Sequence, residues 1–397
     1  MRILLTNSLL TTTLLSAALF AAACGAGASS SKPAAPRIPL VGANWDATEA
    51  ASEAAAYLVR HLDGKGRFDY VRQSTVSEKK YNILRHAGSI HSLVQYYQAR
   101  PSEEIKAAIV RSARYLRERY VQPLAKHPAL LAAVSRPGEE SISAPTAKLG
   151  GTALAVIALR GAMALDPSVI SLADLQAMGE FLLFMQKDDG SFHSKYAIGE
   201  GFDTSFHSLY YPGETMLALT MLYDVDGDQK WLDAALRSAA ELVRGRQGKE
   251  NWPADHWMML SSLPLLERYE KVTTPAITAE DLRTHIEVMG EKIMKDQRDG
   301  GFFAREPRST PTATRLEGLS ALAQIQSSNG DVDPKLRESI DRGLEFLMRC
   351  QLKEVGAQRG GMPRSCAADA ANERRGEEIR IDYVQHYLSA LLTAPKR

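Results

Sequence analysis

The chain has 397 residues, 45% of them hydrophobic and 24% charged, proportions of an ordinary folded protein that exclude disorder and collagen-like order. Lys and Arg total 48 against 47 Asp and Glu, so no net field favours an acidic membrane surface or nucleic acid, and a nucleic-acid partner is not expected. The three cysteines are too few for a disulfide-built scaffold and lack the paired C-x-x-C spacing of structural zinc.

Met1 and Arg2 lead into an apolar run through Leu4, Leu9, Leu14 and Phe20 that ends in Ala21-Ala22-Ala23-Cys24-Gly25, the pattern of an export signal over residues 1–23. The small residues before Cys24 resemble a bacterial lipobox, in which the thiol is lipidated and the chain cleaved just before it. Ordinary cleavage at an Ala-x-Ala site is the alternative. Residues 24–45, rich in Gly, Ala, Ser and Pro, read as a flexible tether holding a domain off a membrane. No later apolar run approaches the roughly 18 residues needed to cross a bilayer. The resemblance therefore implies a bacterial envelope protein held by lipid and facing the periplasm or the exterior. In that compartment Cys350 and Cys366 either pair or stay as two free thiols.

From residue 46 to 397 the chain reads as one domain of alternating helices, and almost nothing reads as a strand. Amphipathic, charged helices are predicted over Thr48–Leu62, Ser102–Tyr120, Leu172–Gln186, Lys230–Arg246, Glu280–Gln297 and Pro334–Gln351. Helices with few charges are predicted over Leu84–Tyr97, Leu149–Leu165, Pro212–Tyr223, His256–Tyr269, Thr312–Ile325 and Tyr383–Leu392. The first set suits an outer layer and the second an inner layer buried all round. Six such hairpins predict an all-α fold, an (α/α)6 toroid.

A second repeat marks the hairpin junctions. Gly179-x-Phe181-Leu182-x-x-x-Gln186-x-x-x-Gly190-Ser-Phe192 is echoed by Gly343-x-x-Phe346-Leu347-x-x-x-Gln351 with Gly360 and Gly361, and partly by Gln297, Gly300, Gly301 and Phe302. These segments resemble the QW repeats of terpenoid cyclases and protein prenyltransferases, toroids in which the Gln caps a helix end. The Asp-rich acid motifs of the cyclases and the Asp-x-Cys zinc pair of the prenyltransferases are missing from the sequence, and only 7% of residues are aromatic, few for a cavity that stabilises carbocations. The turn at Asp224-Val-Asp226-Gly227-Asp228 begins like a calcium loop but has its Gly early and no Glu at the twelfth position, so it reads as a Gly turn before an Asp N-cap. It resembles the Gly-Asp connection of (α/α)6 sugar-processing enzymes.

In a toroid the inner helices run in one direction, so their N-terminal ends share one mouth. Their starts hold Arg85 and His86, Lys148, Tyr210, Tyr211 and Glu214, Asp255, His256 and Trp257, Arg315 and Glu317, and Asp382 and His386. Charged groups gathered on otherwise apolar helices need a polar cavity or mutual pairing. Each has a structural alternative: Pro212 and Glu214 suit a helix start, Asp255 suits an N-cap, and Arg85 suits pairing with Glu214 or Glu317. Asp382 and His386, four apart, are too few to make a metal site, and no metal or cofactor is expected.

The toroid resemblance implies a carbohydrate-acting enzyme, on an acidic or uronate-containing glycan, by hydrolase, lyase or epimerase chemistry. Glu214, Asp255, His256 and Tyr211 are then the candidate catalytic groups. Arg85, His86, Tyr210, Trp257, Arg315, Glu317, Asp382 and His386 are the candidate substrate contacts. The competing reading is a non-catalytic toroid that binds an isoprenoid lipid or a protein partner.

Overall fold

The computed structural model describes residues 46–72, 80–273 and 275–395. The predicted signal, Cys24 and the tether lie outside them. Twelve α-helices stand among the described residues: α1 (Ala47–Arg60), α2 (Ile83–Ala99), α3 (Glu103–Tyr120), α4 (Leu149–Met163), α5 (Leu172–Phe184), α6 (Tyr211–Asp226), α7 (Gln229–Arg246), α8 (His256–Glu267), α9 (Ala279–Lys295), α10 (Ser309–Asn329), α11 (Pro334–Cys350) and α12 (Ile381–Thr393). Each even-numbered helix packs against the next even-numbered one, and α12 returns to α2, which closes an inner ring. The odd-numbered helices pack outside it.

The two layers follow from side-chain patterning. On α11 the buried positions Leu336, Ile340, Gly343, Leu344 and Leu347 fall three or four apart, one stripe facing inward. On α4 a run of Gly, Ala, Leu, Val and Ile is buried on every side. The caps differ as well. Every outer helix starts at a Ser, Thr or Asp whose side chain accepts a backbone N–H of the first turn, for example Ser102 from Ile105 and Thr278 from Asp281. Inner helices α4, α6, α10 and α12 start without such a cap.

The Gln–Gly repeats join neighbouring outer helices. The amide of Gln186 donates to Gly190 O at 3.2 Å and to Ala234 O of α7 at 2.9 Å. Gln297 makes the same pair of bonds with Gly301 O and with Ser339 O of α11, and Gln351 with Gly360 O and with Ala50 O of α1. Gly190, Gly301 and Gly360 have positive φ and lie against a backbone carbonyl of the adjoining outer helix, so neither the conformation nor the space admits a side chain. Gly66 against Arg111 O is a fourth junction of this kind, with Leu62 where the others have Gln. The predicted turn after α6 is present: Gly227 has φ +71 and Asp228 caps α7.

The near-absence of strands is corrected. Strands β2 (Val121–Leu124), β3 (His127–Ser135), β4 (Thr146–Lys148), β5 (Lys195–Ala197) and β6 (Gly201–Asp203) form one antiparallel sheet in that order, and β1 (Val71–Arg72) pairs with β7 (Ile379–Arg380). Most are too short to display a period of two, and Ala and Leu dominate β3, so they arise from pairing rather than local pattern. Their role is positional: β4 runs directly into α4 and β7 directly into α12, fixing where those inner helices begin. Cys350 and Cys366 form a disulfide that ties the end of α11 to the loop before β7.

Candidate functional site

A cavity of about 540 Å³ opens where the inner helices begin. Its walls are the first turns of α2, α6, α8, α10 and α12, with Leu154 from α4 and Arg364 from the loop before β7. The prediction of a shared mouth therefore describes the molecule.

Three side chains from three inner helices meet beside it: His256 and His386 line this cavity, and Glu317 lines a smaller one that shares His386, Trp257 and Gln385 with it. Glu317 of α10 accepts from His386 Nδ1 of α12 at 2.9 Å, and its Oε2 lies 4.0 Å from Nε2 of His256 on α8. The two imidazole rings are 5.6 Å apart. Their electrostatics differ. Burial, with the positive charges of His386 and Arg315 nearby, pushes His256 well below the ordinary histidine range, so it is neutral. Burial also acts against a charge on His386, but Glu317 outweighs it and raises that imidazole. Both ring nitrogens of His256 are enclosed without a hydrogen-bond partner. Tyr210 packs edge-on against this ring at 5.0 Å and is itself 37% exposed.

The cavity wall holds a second group. Asp382 is bound by Arg380 through two contacts of 2.5 and 2.9 Å and by Arg85 Nε at 3.2 Å. Burial opposes its charge, but the two guanidiniums outweigh burial and hold the carboxyl below its usual range. Arg85 thus pairs with Asp382 and also with the Tyr70 hydroxyl, not with Glu214 or Glu317. Arg315 donates to Pro311 O of its own helix at 3.1 Å and has no ion pair with a carboxylate among the described residues.

Glu214 and Tyr211 line the same cavity. Glu214 is 4% exposed, and burial together with the nearby Asp255 pushes its carboxyl up to about 8. Burial and then Glu214 raise the Tyr211 phenol, which stays protonated. Trp257 lines the cavity beside His256.

Two expected site residues line neither cavity. Asp255 is fully buried, caps α8 through Met258 N and pairs with Arg246 at 2.5 Å, so its carboxylate is spent on structure. His86 uses both nitrogens, one with the Tyr81 hydroxyl at 2.6 Å and one with Ser112 O at 2.9 Å, and faces the α3 side. A helix start has an inner and an outer side, and sequence spacing at the first turn does not separate them. Sequence reasoning missed Arg308, Arg364, Arg380 and Gln385 on the wall. Arg380 and Gln385 flank predicted α12 residues and were within reach of the helix-start argument. Arg364 comes from a loop with no periodic signal. Asp382 is held by the two arginines, while His386 joins His256 and Glu317, a grouping of three groups able to hold a cation, with ligand atoms all within 4.8 Å of one another.

No protein-family model matches the chain, and no curated protein matches its sequence. Solved structures do match. A GH76 α-mannanase of Bacteroides thetaiotaomicron aligns over 88% of this chain and 96% of its own, with a TM-score of 0.62 at 14% identity. A D-mannose isomerase aligns over 87% and 95%, with a TM-score of 0.62 at 14% identity. A cellobiose 2-epimerase of Bacillus thermoamylovorans aligns over 87% and 98%, with a TM-score of 0.65 at 11% identity. This chain has the (α/α)6 toroid fold that those proteins share.

Proposed function

We propose that the protein is an enzyme that moves a proton on a sugar, isomerising or epimerising it at the carbon next to an open-chain carbonyl. One observation carries this: a neutral imidazole, His256, and an imidazole held charged by Glu317, His386, reach the same cavity floor. His256 takes the proton from carbon as the C–H bond breaks, and His386 gives a proton to the carbonyl oxygen, leaving a neutral enediol. Protonating the former carbonyl carbon while the neighbouring hydroxyl gives up its proton yields the isomeric carbonyl sugar; protonating the original carbon on its other face while the enol proton returns to His386 yields the epimer. Two proteins of similar fold, a D-mannose isomerase and a cellobiose 2-epimerase, support the same chemistry.

Acidic sugars are the preferred class, because Arg315 has no carboxylate partner among the described residues and α6, α10 and α12 start at the mouth without a capping side chain, their positive dipole ends toward it. Bond cleavage is the second reading. Its support is that Glu214 is neutral and Asp382 ionised, the two states of a general acid and base. Asp382, however, is already engaged by two arginines. An isoprenoid ligand has least support, since arginines line the cavity. The reading includes a lipid anchor at Cys24 in a bacterial envelope, supported by the disulfide, which suits an oxidising compartment.

The test is product analysis after incubation with D-mannose, cellobiose, D-glucuronate and a polyuronate. An isomer or epimer of unchanged mass, lost by roughly 10²-fold or more in His386→Ala and His256→Ala, is expected. A shorter or unsaturated product would transfer the assignment to cleavage.

A further inference from the structure

Glu214 has no part in the histidine chemistry, yet its carboxyl is built into the cavity wall. On one side stands Gly150 of α4, where a Cβ would overlap both the Glu214 Oε2 and the Tyr211 ring. Glu214 Oε2 is fully enclosed and has no hydrogen-bond partner. The groups facing it are Tyr210 and Tyr211 from its own helix and the Arg246-bound Asp255 from the start of α8. Lys148, at the start of α4, is paired with Glu140. No cation is paired with Glu214 among the described residues. An ionised carboxylate would therefore be desolvated and repelled by Asp255, whereas a protonated one offers an O–H donor. Glu214 and Arg315 line the same cavity, with Tyr210 on its wall as well.

We infer that Glu214 is a neutral hydrogen-bond donor which, together with Arg315, receives the carboxylate of an acidic sugar. This rests on the reading that the cavity takes a sugar. A buried acid without a partner gains one when that anion binds, which a neutral sugar supplies less well. Losing the proton turns the donor into a repelling charge, so the anion leaves as Glu214 ionises. The role is recognition, and it differs from proton transfer in what an isosteric amide can replace: glutamine keeps an N–H donor and cannot ionise.

The experiment has two arms. In the first, the melting temperature of the ligand-free protein is followed against pH beside Glu214→Gln. A folded value of about 8 against an ordinary 4.5 means stability present at low pH is lost as pH rises through 8, and the amide should remove that part of the slope. In the second, calorimetry with D-glucuronate is run at about pH 6 and about pH 9, where affinity should fall about tenfold per pH unit above the titration point. Wild type should weaken at the higher pH, Glu214→Gln should bind equally at both, and Glu214→Leu and Arg315→Met should bind poorly at both. A pH slope identical in wild type and the amide variant, or glucuronate binding lost in Glu214→Gln at about pH 6, overturns the inference. Binding with this pH limit but no turnover of any sugar would uphold it and sink the isomerase reading instead.

Discussion

Asp255 and Glu317 are both buried carboxylates on inner helices, yet only Glu317 reaches the histidines that line the cavity. The difference is the partner. Arg246 of α7 takes Asp255 from outside the ring, while Glu317 sits two turns into α10 and reaches the histidines. Replacing Asp255 with Asn keeps a capping oxygen but leaves Arg246 buried and unpaired, which should cost about 3–5 kcal/mol in denaturant unfolding. The histidine pair sets the pH window of turnover. Activity needs His256 neutral and His386 charged, so it should fail on the acid side well below pH 6.5 and on the alkaline side above 6.5, at the raised value of His386. The sign for stability agrees: what Glu317 adds through charged His386 is present below the unfolded value of 6.5 and lost as pH rises through the folded one. His256, Glu317 and His386 were each legible in the sequence as polar residues on apolar helices. Their meeting was not, because it depends on how α8, α10 and α12 turn toward one axis.

At the scale of elements, the helices were legible because the layers carry different signatures, a stripe on outer helices such as α11 and near-uniform apolarity on inner helices such as α4. The Gln–Gly repeats were legible as a pattern, and their geometry explains it: one amide ties a loop to the neighbouring outer helix. Gln297→Ala should cost about 1–3 kcal/mol, since both carbonyls lose their donor, and should leave substrate affinity unchanged. Gly301→Ala should cost more, because φ is +92 and Arg342 O occupies the space of a Cβ. Denaturant unfolding with a parallel activity assay checks both. The sheet escaped notice because strands of three or four residues form only once distant segments are in place, as when Lys148 pairs with Lys195.

The described helices form a ring whose closure joins α12 to α2, and the segment that completes it also carries the cavity's last wall. The Cys350–Cys366 disulfide holds that segment to α11, and Cys366 N donates to Pro307 O just before α10. Opening this loop of about 15 residues with Cys366→Ser should lower stability by about 3 kcal/mol in denaturant unfolding. Such a ring places six helix ends at one mouth and so brings residues 256, 317 and 386 together. The measurement that addresses the two-histidine floor most directly is incubation with reducing sugars, D-mannose and D-glucuronate among them, in D2O, reading the carbon next to the carbonyl by NMR. Deuterium entering at that carbon in the wild type, and not in His256→Ala or His386→Ala, is the predicted result. Exchange that survives both substitutions, or turnover in which every product keeps its original hydrogen and a glycosidic bond is cut, would contradict it.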